Sequence, residues 1–209
     1  MEPPDAAGRV AGHRYADPLD HVWLATAARI GLGVVRSPDA FAATDGAGTL
    51  VIGTPETLDP DDCLAQMILH ELCHALVEGP GSLALADWGL SNVDSRDELR
   101  EHACLRVQAA LVAPHGLRWF LAPTTDYRAY YDGLPPDPLA AAAVSLEWRA
   151  IELATAAHER AGHPPWAPHL QNALAATAAI ARTGAAFSRE PDAGGLSWLY
   201  EVVDRGRAG

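Results

Sequence analysis

His70-Glu71-Leu72-Cys73-His74 decides how this 209-residue chain reads. The stretch has the form H-E-x-x-H. On a helix, two histidines four residues apart lie on one face, close enough to hold a single metal ion. The surroundings predict that helix. Asp59-Pro60-Asp61-Asp62 offers an N-cap, a proline at the first helical position and acids in the first turn. Leu64, Met67, Ile68, Leu72, Ala75 and Leu76 follow at helical spacing, and Gly79-Pro80-Gly81 ends the segment.

Two imidazoles leave a divalent ion short of donors, so a third protein ligand is expected downstream. Ser95-Arg96-Asp97-Glu98 reads as a capping box opening a second helix, which continues through Val112 to Pro114 on a stripe of Leu99, Ala103, Val107, Ala110 and Leu111. Glu98, Glu101 and His102 are its candidate donors. Glu101 lies off the apolar stripe on a flank that could face the first helix, whereas Glu98 belongs to the capping box. His102 sits about 100° round the helix from Glu101, so the two cannot readily serve one ion. Glu71 lies between the two histidines in the sequence, on a different azimuth of the helix. There it either accepts a proton from metal-bound water as a general base or orients a ligand from outside the coordination sphere.

The rest of the chain reads outward from this pair. Residues 1–16 are expected to be a flexible leader, and 17–209 a single domain with a metal-site region (17–134) and a helical region (139–209). Asp17-Pro18 caps a predicted helix to about Arg29, with Val22, Trp23, Ala27 and Ile30 apolar. Leu32–Val35 and Thr49–Ile52 are short β-branched runs separated by the glycine-rich turn Asp45-Gly46-Ala47-Gly48. Residues 114–138 read as a loop carrying Asp126-Tyr127-Arg128-Ala129-Tyr130-Tyr131. Beyond it, helices are predicted over about Leu139–Ala161 and Pro168–Arg182, the latter ended by Gly184, with a short amphipathic piece at Leu196–Val203. Trp148, Ile151, Trp166 and Leu170 read as core or dimer contacts, so a homodimer is admissible. The predicted class is α+β: a small sheet, a metal-site helix pair and an α-helical C-terminal half.

Composition narrows the function. A net charge of −12 without a Lys/Arg-rich run argues against nucleic acid or an anionic membrane as partner. No run of about 20 apolar residues predicts a membrane span, and the acidic, proline-rich start lacks the features of a signal peptide, which makes the cytoplasm the expected compartment. Cys63, Cys73 and Cys104 lack C-x-x-C spacing and read as reduced, buried, small apolar residues rather than a disulfide framework.

The run from His70 to Gln108 resembles the bacterial elongation factor P hydroxylase family. The resemblance rests on His70-Glu71-x-x-His74, Asp87-Trp88-Gly89, Glu101 and Gln108-Ala109. It implies a site of two histidines and one carboxylate, Glu101, suited to non-haem Fe(II), and oxygen-dependent hydroxylation of a modified lysine on a translation factor. Asp87 and Gln108 would then be substrate contacts or supports for the ligands. The surroundings depart from the family: Ala75 stands in place of a tryptophan and Cys104 in place of a second glutamate. A weaker resemblance links Glu101-His102-Ala103 through Leu111-Val112-Ala113-Pro114 to small bacterial zinc peptidases that cleave repressor proteins. It too implies Glu101 as ligand, with Zn(II) as the ion.

Two expectations follow. One is an oxygen-dependent hydroxylase using Fe(II), the other a zinc metallopeptidase or amidohydrolase with Glu71 as general base. The substrate is a protein, peptide or small molecule, and the Tyr-rich segment makes Tyr127 and Arg128 candidate substrate contacts. A degenerate metal- or partner-binding module is the non-enzymatic alternative.

Overall fold

A computed structural model describes residues 16–59, 62–91, 95–123, 126–140 and 147–185. Helix α1 spans Pro18–Ile30 as its cap predicts. The Asp17 carboxylate accepts the Leu19 N–H at 2.8 Å, Pro18 opens the helix, and Gly31 closes it at a φ of 105°. Three strands follow: β1 (Gly33–Ser37), β2 (Ala42–Thr44) and β3 (Thr49–Gly53), in the order β1-β3-β2. β1 runs parallel to β3, pairing Gly33 with Thr49, while β2 is antiparallel to it, pairing Ala43 with Val51. The turn at 45–48 therefore joins β2 to β3, and β2 is a strand the sequence did not announce. The Asp45 carboxylate holds this turn by accepting the N–H groups of Ala47 (2.7 Å) and Thr49 (2.9 Å).

Helix α2 (Leu64–Glu78) carries the histidines and is buried along every residue from Leu64 to Val77. A helix apolar on most sides belongs in the middle of a fold. Leu69, Leu72 and Leu76, all fully buried, each contribute about 1.5–3 kcal/mol on leaving water. Its start differs from the expectation. Cys63, not Asp59, is the N-cap, its Sγ accepting the Gln66 N–H at 3.4 Å. Asp59 and Asp62 instead close a turn upon each other (3.1 and 2.9 Å), while Pro60 and Asp61 lie outside the described residues. Cys63 is thus exposed, in contrast to the buried Cys73 and Cys104. At the other end Gly79 stops the helix at a φ of 88°, and the Arg160 guanidinium bonds the Leu76 and Val77 carbonyls.

Helix α3 (Ser95–Val112) runs antiparallel to α2, since His74 meets Glu101 while His70 meets Gln108. The Tyr-rich segment is not wholly loop: Arg128–Asp132 forms the short helix α4. Helix α5 spans Trp148–Arg160, later than the predicted start at Leu139; Leu139 and Ala140 are not helical and 141–146 lie outside the described residues. Helix α6 (His169–Ala185) passes through Gly184 rather than stopping there. The expected leader up to residue 15 and the piece at 196–203 also lie outside the described residues.

One hydrophobic cluster runs from Trp23 to Ala178 and joins α1, the sheet, α2, α3, α5 and α6. Trp166 and Leu170 belong to it and Ile151 is buried, whereas Trp148 is 52% exposed. The Trp23 indole, fully buried, donates to Thr177 Oγ1 at 3.0 Å and ties α1 to α6. The architecture is α+β with a helical C-terminal half. Among the described residues no helix is long and apolar enough to cross a membrane.

Candidate metal centre

The facing sides of α2 and α3 bring three donors to one point. His70 Nε2 and His74 Nε2 stand 3.2 Å apart, with the rings nearly perpendicular at 83°. Glu101 reaches across from α3, Oε1 at 3.5 Å from His70 Nε2 and Oε2 at 3.2 Å from His74 Nε2. Donors about 2.0–2.2 Å from a common tetrahedral ion are separated by about 3.3 Å, and cis positions of an octahedron by about 3.0 Å. Each histidine thus stands at such a ligand-to-ligand distance from one Glu101 oxygen, His70 from Oε1 and His74 from Oε2.

The proton positions follow from Gln108, which is fully buried. Its Nε2 donates to the Leu121 carbonyl at 2.8 Å, which turns its Oε1 toward His70 Nδ1 at 2.9 Å. That oxygen can only accept, so His70 carries its proton on Nδ1 and presents a bare lone pair at Nε2. Glu101 Oε1 is buried without a hydrogen-bond donor. Lone pairs gathered in this way repel unless a cation lies among them. The donor set fits a divalent ion held by His70, His74 and Glu101.

The electrostatics agree. Burial works against ionisation of Glu101, yet the neighbouring His70 and His74 outweigh it and bring its carboxyl down to about 2. Burial likewise works against protonation of His74, and the Glu101 hydrogen bond with the charges of Glu101, Glu71 and Glu78 reverses this and raises its affinity for a proton. Without a metal, a shared proton does part of a cation's work.

Cys104 offers a competing donor. His70, His74 and Cys104 form a buried group whose donor atoms lie within 4.8 Å of one another, and such a group could hold a metal ion. Its Sγ lies 3.8 Å from His70 Nδ1, however, on the side already engaged by Gln108, and 3.5 Å from the His70 carbonyl. The two nitrogens of one imidazole point apart and cannot serve the same ion. Burial and the adjacent Cys73 also push the Cys104 thiol well above its ordinary range. Glu101, in contrast, meets both histidines at Nε2.

Glu71 is buried beside this triangle, and its Oε2 accepts the Trp88 indole N–H at 2.8 Å. Trp88 belongs to Asp87-Trp88-Gly89, where Asp87 and Trp88 both adopt left-handed backbone, φ 47° and 58°. The Asp87 carboxylate accepts the Thr44 N–H at 3.0 Å, fixing the loop to β2, and Asp45 bridges to Ala86. Of this motif it is Trp88, rather than Asp87, whose side chain meets Glu71.

The other expected site residues are distributed as follows. Gln108 supports a histidine. Asp87 is committed to the sheet edge, and Glu98 is exposed. His102 turns to other partners, its Nδ1 3.1 Å from the Glu147 carboxylate and its ring stacked on Tyr130 at 3.7 Å. Tyr127 packs edge-on against His102 at 5.6 Å. Arg128 pairs with Asp132 at 2.8 Å and reaches the Pro123 carbonyl at 3.5 Å.

A second polar cluster, invisible in the sequence, lies behind His102. The Arg106 guanidinium donates to Tyr130 Oη (2.6 Å), the Pro138 carbonyl (2.7 Å) and Glu147 (3.0 Å), and Tyr130 Oη also donates to Glu147. Burial opposes ionisation of Glu147, and these donors more than compensate, lowering its pKa. The cluster pins α4 and the start of α5 to α3 through Arg106, five residues past Glu101.

The chain matches no protein-family model, no curated protein and no solved structure.

Proposed function

We propose that the protein is a metal-dependent enzyme in which His70, His74 and Glu101 hold one divalent ion, and that it is an oxygen-dependent hydroxylase using Fe(II). The observation that carries this reading is the triangle of His70 Nε2, His74 Nε2 and the Glu101 carboxylate, with separations of 3.2–3.5 Å and a histidine tautomer fixed by Gln108. Two histidines and one carboxylate on one side of an ion leave its other positions open, the arrangement that suits non-haem iron and its activation of oxygen. The resemblance carried by Asp87-Trp88-Gly89, Glu101 and Gln108-Ala109 favours the same chemistry. Within it, Gln108 orients His70, Trp88 restrains Glu71, and the apolar walls of α2 and α3 exclude bulk water.

The alternative is a zinc metallopeptidase or amidohydrolase. Its support is Glu71, buried at the site with its charge acting on His74. Against it, one Glu71 oxygen is already given to the Trp88 indole, leaving the other alone to meet a metal-bound water.

The test is oxygen consumption by metal-stripped protein reconstituted anaerobically with Fe(II), in the presence of cell extract as the source of substrate. Uptake that disappears in His70→Ala supports the hydroxylase. Equal uptake by the two proteins, together with one tightly held zinc per chain and peptide or amide cleavage abolished by Glu71→Gln, overturns it in favour of hydrolysis.

A further inference from the structure

The Trp88–Glu71 contact carries one step more. Glu71 lies about 100° round α2 from His70 and about 60° from His74, so its carboxylate starts on the flank of the ligand face, within a side chain's reach of an ion there. A second carboxylate-bearing side chain that close would readily join the ligands of a divalent cation. What opposes this is a hydrogen bond from an indole that is itself 3% exposed, at 2.8 Å, to a carboxylate 8% exposed. Charge-assisted bonds of this kind are among the stronger ones, and low exposure strengthens them further.

The backbone is arranged to deliver that donor. Asp87 and Trp88 are consecutive non-glycine residues at positive φ, a conformation that costs roughly 1–2 kcal/mol per residue. The strain is held by long-range ties to the sheet: Thr44 N–H to Asp87, Thr44 Oγ1 to the Leu85 carbonyl (3.2 Å), and the Asp45–Ala86 bridge. Gly46 admits the loop, since a Cβ there would stand 2.7 Å from the Ala86 nitrogen and the Leu85 carbonyl carbon.

We propose that Trp88 is a positioning residue whose indole N–H holds Glu71 out of the ligand set, keeping open a coordination position that Glu71 would otherwise close. This rests on the metal-site reading of His70, His74 and Glu101. It holds equally for an iron or a zinc enzyme, because both need a vacant position.

Cobalt(II) is the probe, since its visible absorption reports the ligand set and needs no substrate. Titration of metal-stripped wild type and Trp88→Phe gives the spectrum and affinity of each, with far-UV circular dichroism as the check on folding. In Trp88→Phe the released carboxylate joins the ion, changing the visible band and tightening binding by about tenfold, the scale on which supporting residues act. Adding Glu71→Gln in the Trp88→Phe background returns both toward wild type. A folded Trp88→Phe with unchanged band and affinity overturns the proposal, as does a change that persists in the double variant. If phenylalanine at 88 unfolds the chain, replacing Trp88 by benzothienylalanine removes the N–H alone and is read in the same way. A wild type that binds no cobalt overturns the metal site itself, and this inference with it.

Discussion

Gln108→Leu removes one side chain that does two things. The carboxamide is fully buried, accepts from His70 Nδ1 at 2.9 Å and donates to the Leu121 carbonyl at 2.8 Å. Leucine is close in volume, so the cavity term is small and the loss is polar. The His70 N–H and the Leu121 carbonyl are left unpaired, each at about 1–3 kcal/mol. That is roughly 2–6 kcal/mol against a typical total of about 5–15, so the variant folds at low temperature but with a clearly lowered urea midpoint. The second consequence is at the metal. Without its acceptor His70 is free to rotate and to move its proton to Nε2, and loss of such a partner costs about 10–100-fold in metal affinity. The two effects separate in Gln108→Glu, which keeps an acceptor for His70 but loses the donor to Leu121. Stability falls there while metal affinity stays within a few-fold of wild type. Isothermal titration with zinc at constant pH, beside urea denaturation of the metal-free proteins, reads both. A Gln108→Leu protein that binds metal as tightly as wild type refutes the argument that Gln108 fixes the His70 tautomer.

Other outcomes follow from the same geometry. Metal-free protein loses stability on both sides of a mildly acidic optimum. Glu101 is lowered from 4.5 to about 2, so its contribution is present above 4.5 and lost as pH falls toward 2; His74 is raised from 6.5, so its contribution is present below 6.5 and lost as pH climbs through the raised value. Urea midpoints against pH should show both limbs, the acid one flattened in Glu101→Gln; a profile unaffected by that substitution speaks against the pairing. Metal binding has the opposite sign above neutrality, strengthening as His74 gives up its proton, which titrations at several pH values would reveal. Gly46→Ala places a Cβ 2.7 Å from backbone at φ 66° and should cost about 1–3 kcal/mol by displacing the Ala86–Trp88 loop. A neutral effect in urea would show that the loop yields freely.

How much of this the sequence disclosed depends on range. Asp17-Pro18 and Gly31 are local signals, and α1 begins and ends where they predict. The spacing of His70 and His74 and the flank position of Glu101 are also local, and packing two antiparallel helices face to face brings them together. The start of α2 is less legible, because Asp59-Pro60-Asp61-Asp62 carries every mark of a cap, yet Asp59 and Asp62 bond each other and leave the cap to Cys63. β2 escaped notice because Ala42-Ala43-Thr44 is short and lacks alternation; β3 beside it makes it a strand. The union of Arg106, Tyr130 and Glu147 spans 41 residues and has no local trace. Trp88 was noticed only as the centre of a motif, since nothing in the spacing reveals which side chain of Asp87-Trp88-Gly89 turns inward.

The central claim is that Glu101, not Cys104, completes the site with His70 and His74. Metal content after equilibration with one equivalent of Zn(II) or, anaerobically, Fe(II), measured on wild type, Glu101→Ala and Cys104→Ala at equal folded concentration, tests it most directly. The account predicts about one ion per chain in wild type and Cys104→Ala, and loss of stoichiometric binding in Glu101→Ala. Retention of the ion in Glu101→Ala with its loss in Cys104→Ala would contradict it and place the centre on the other side of His70.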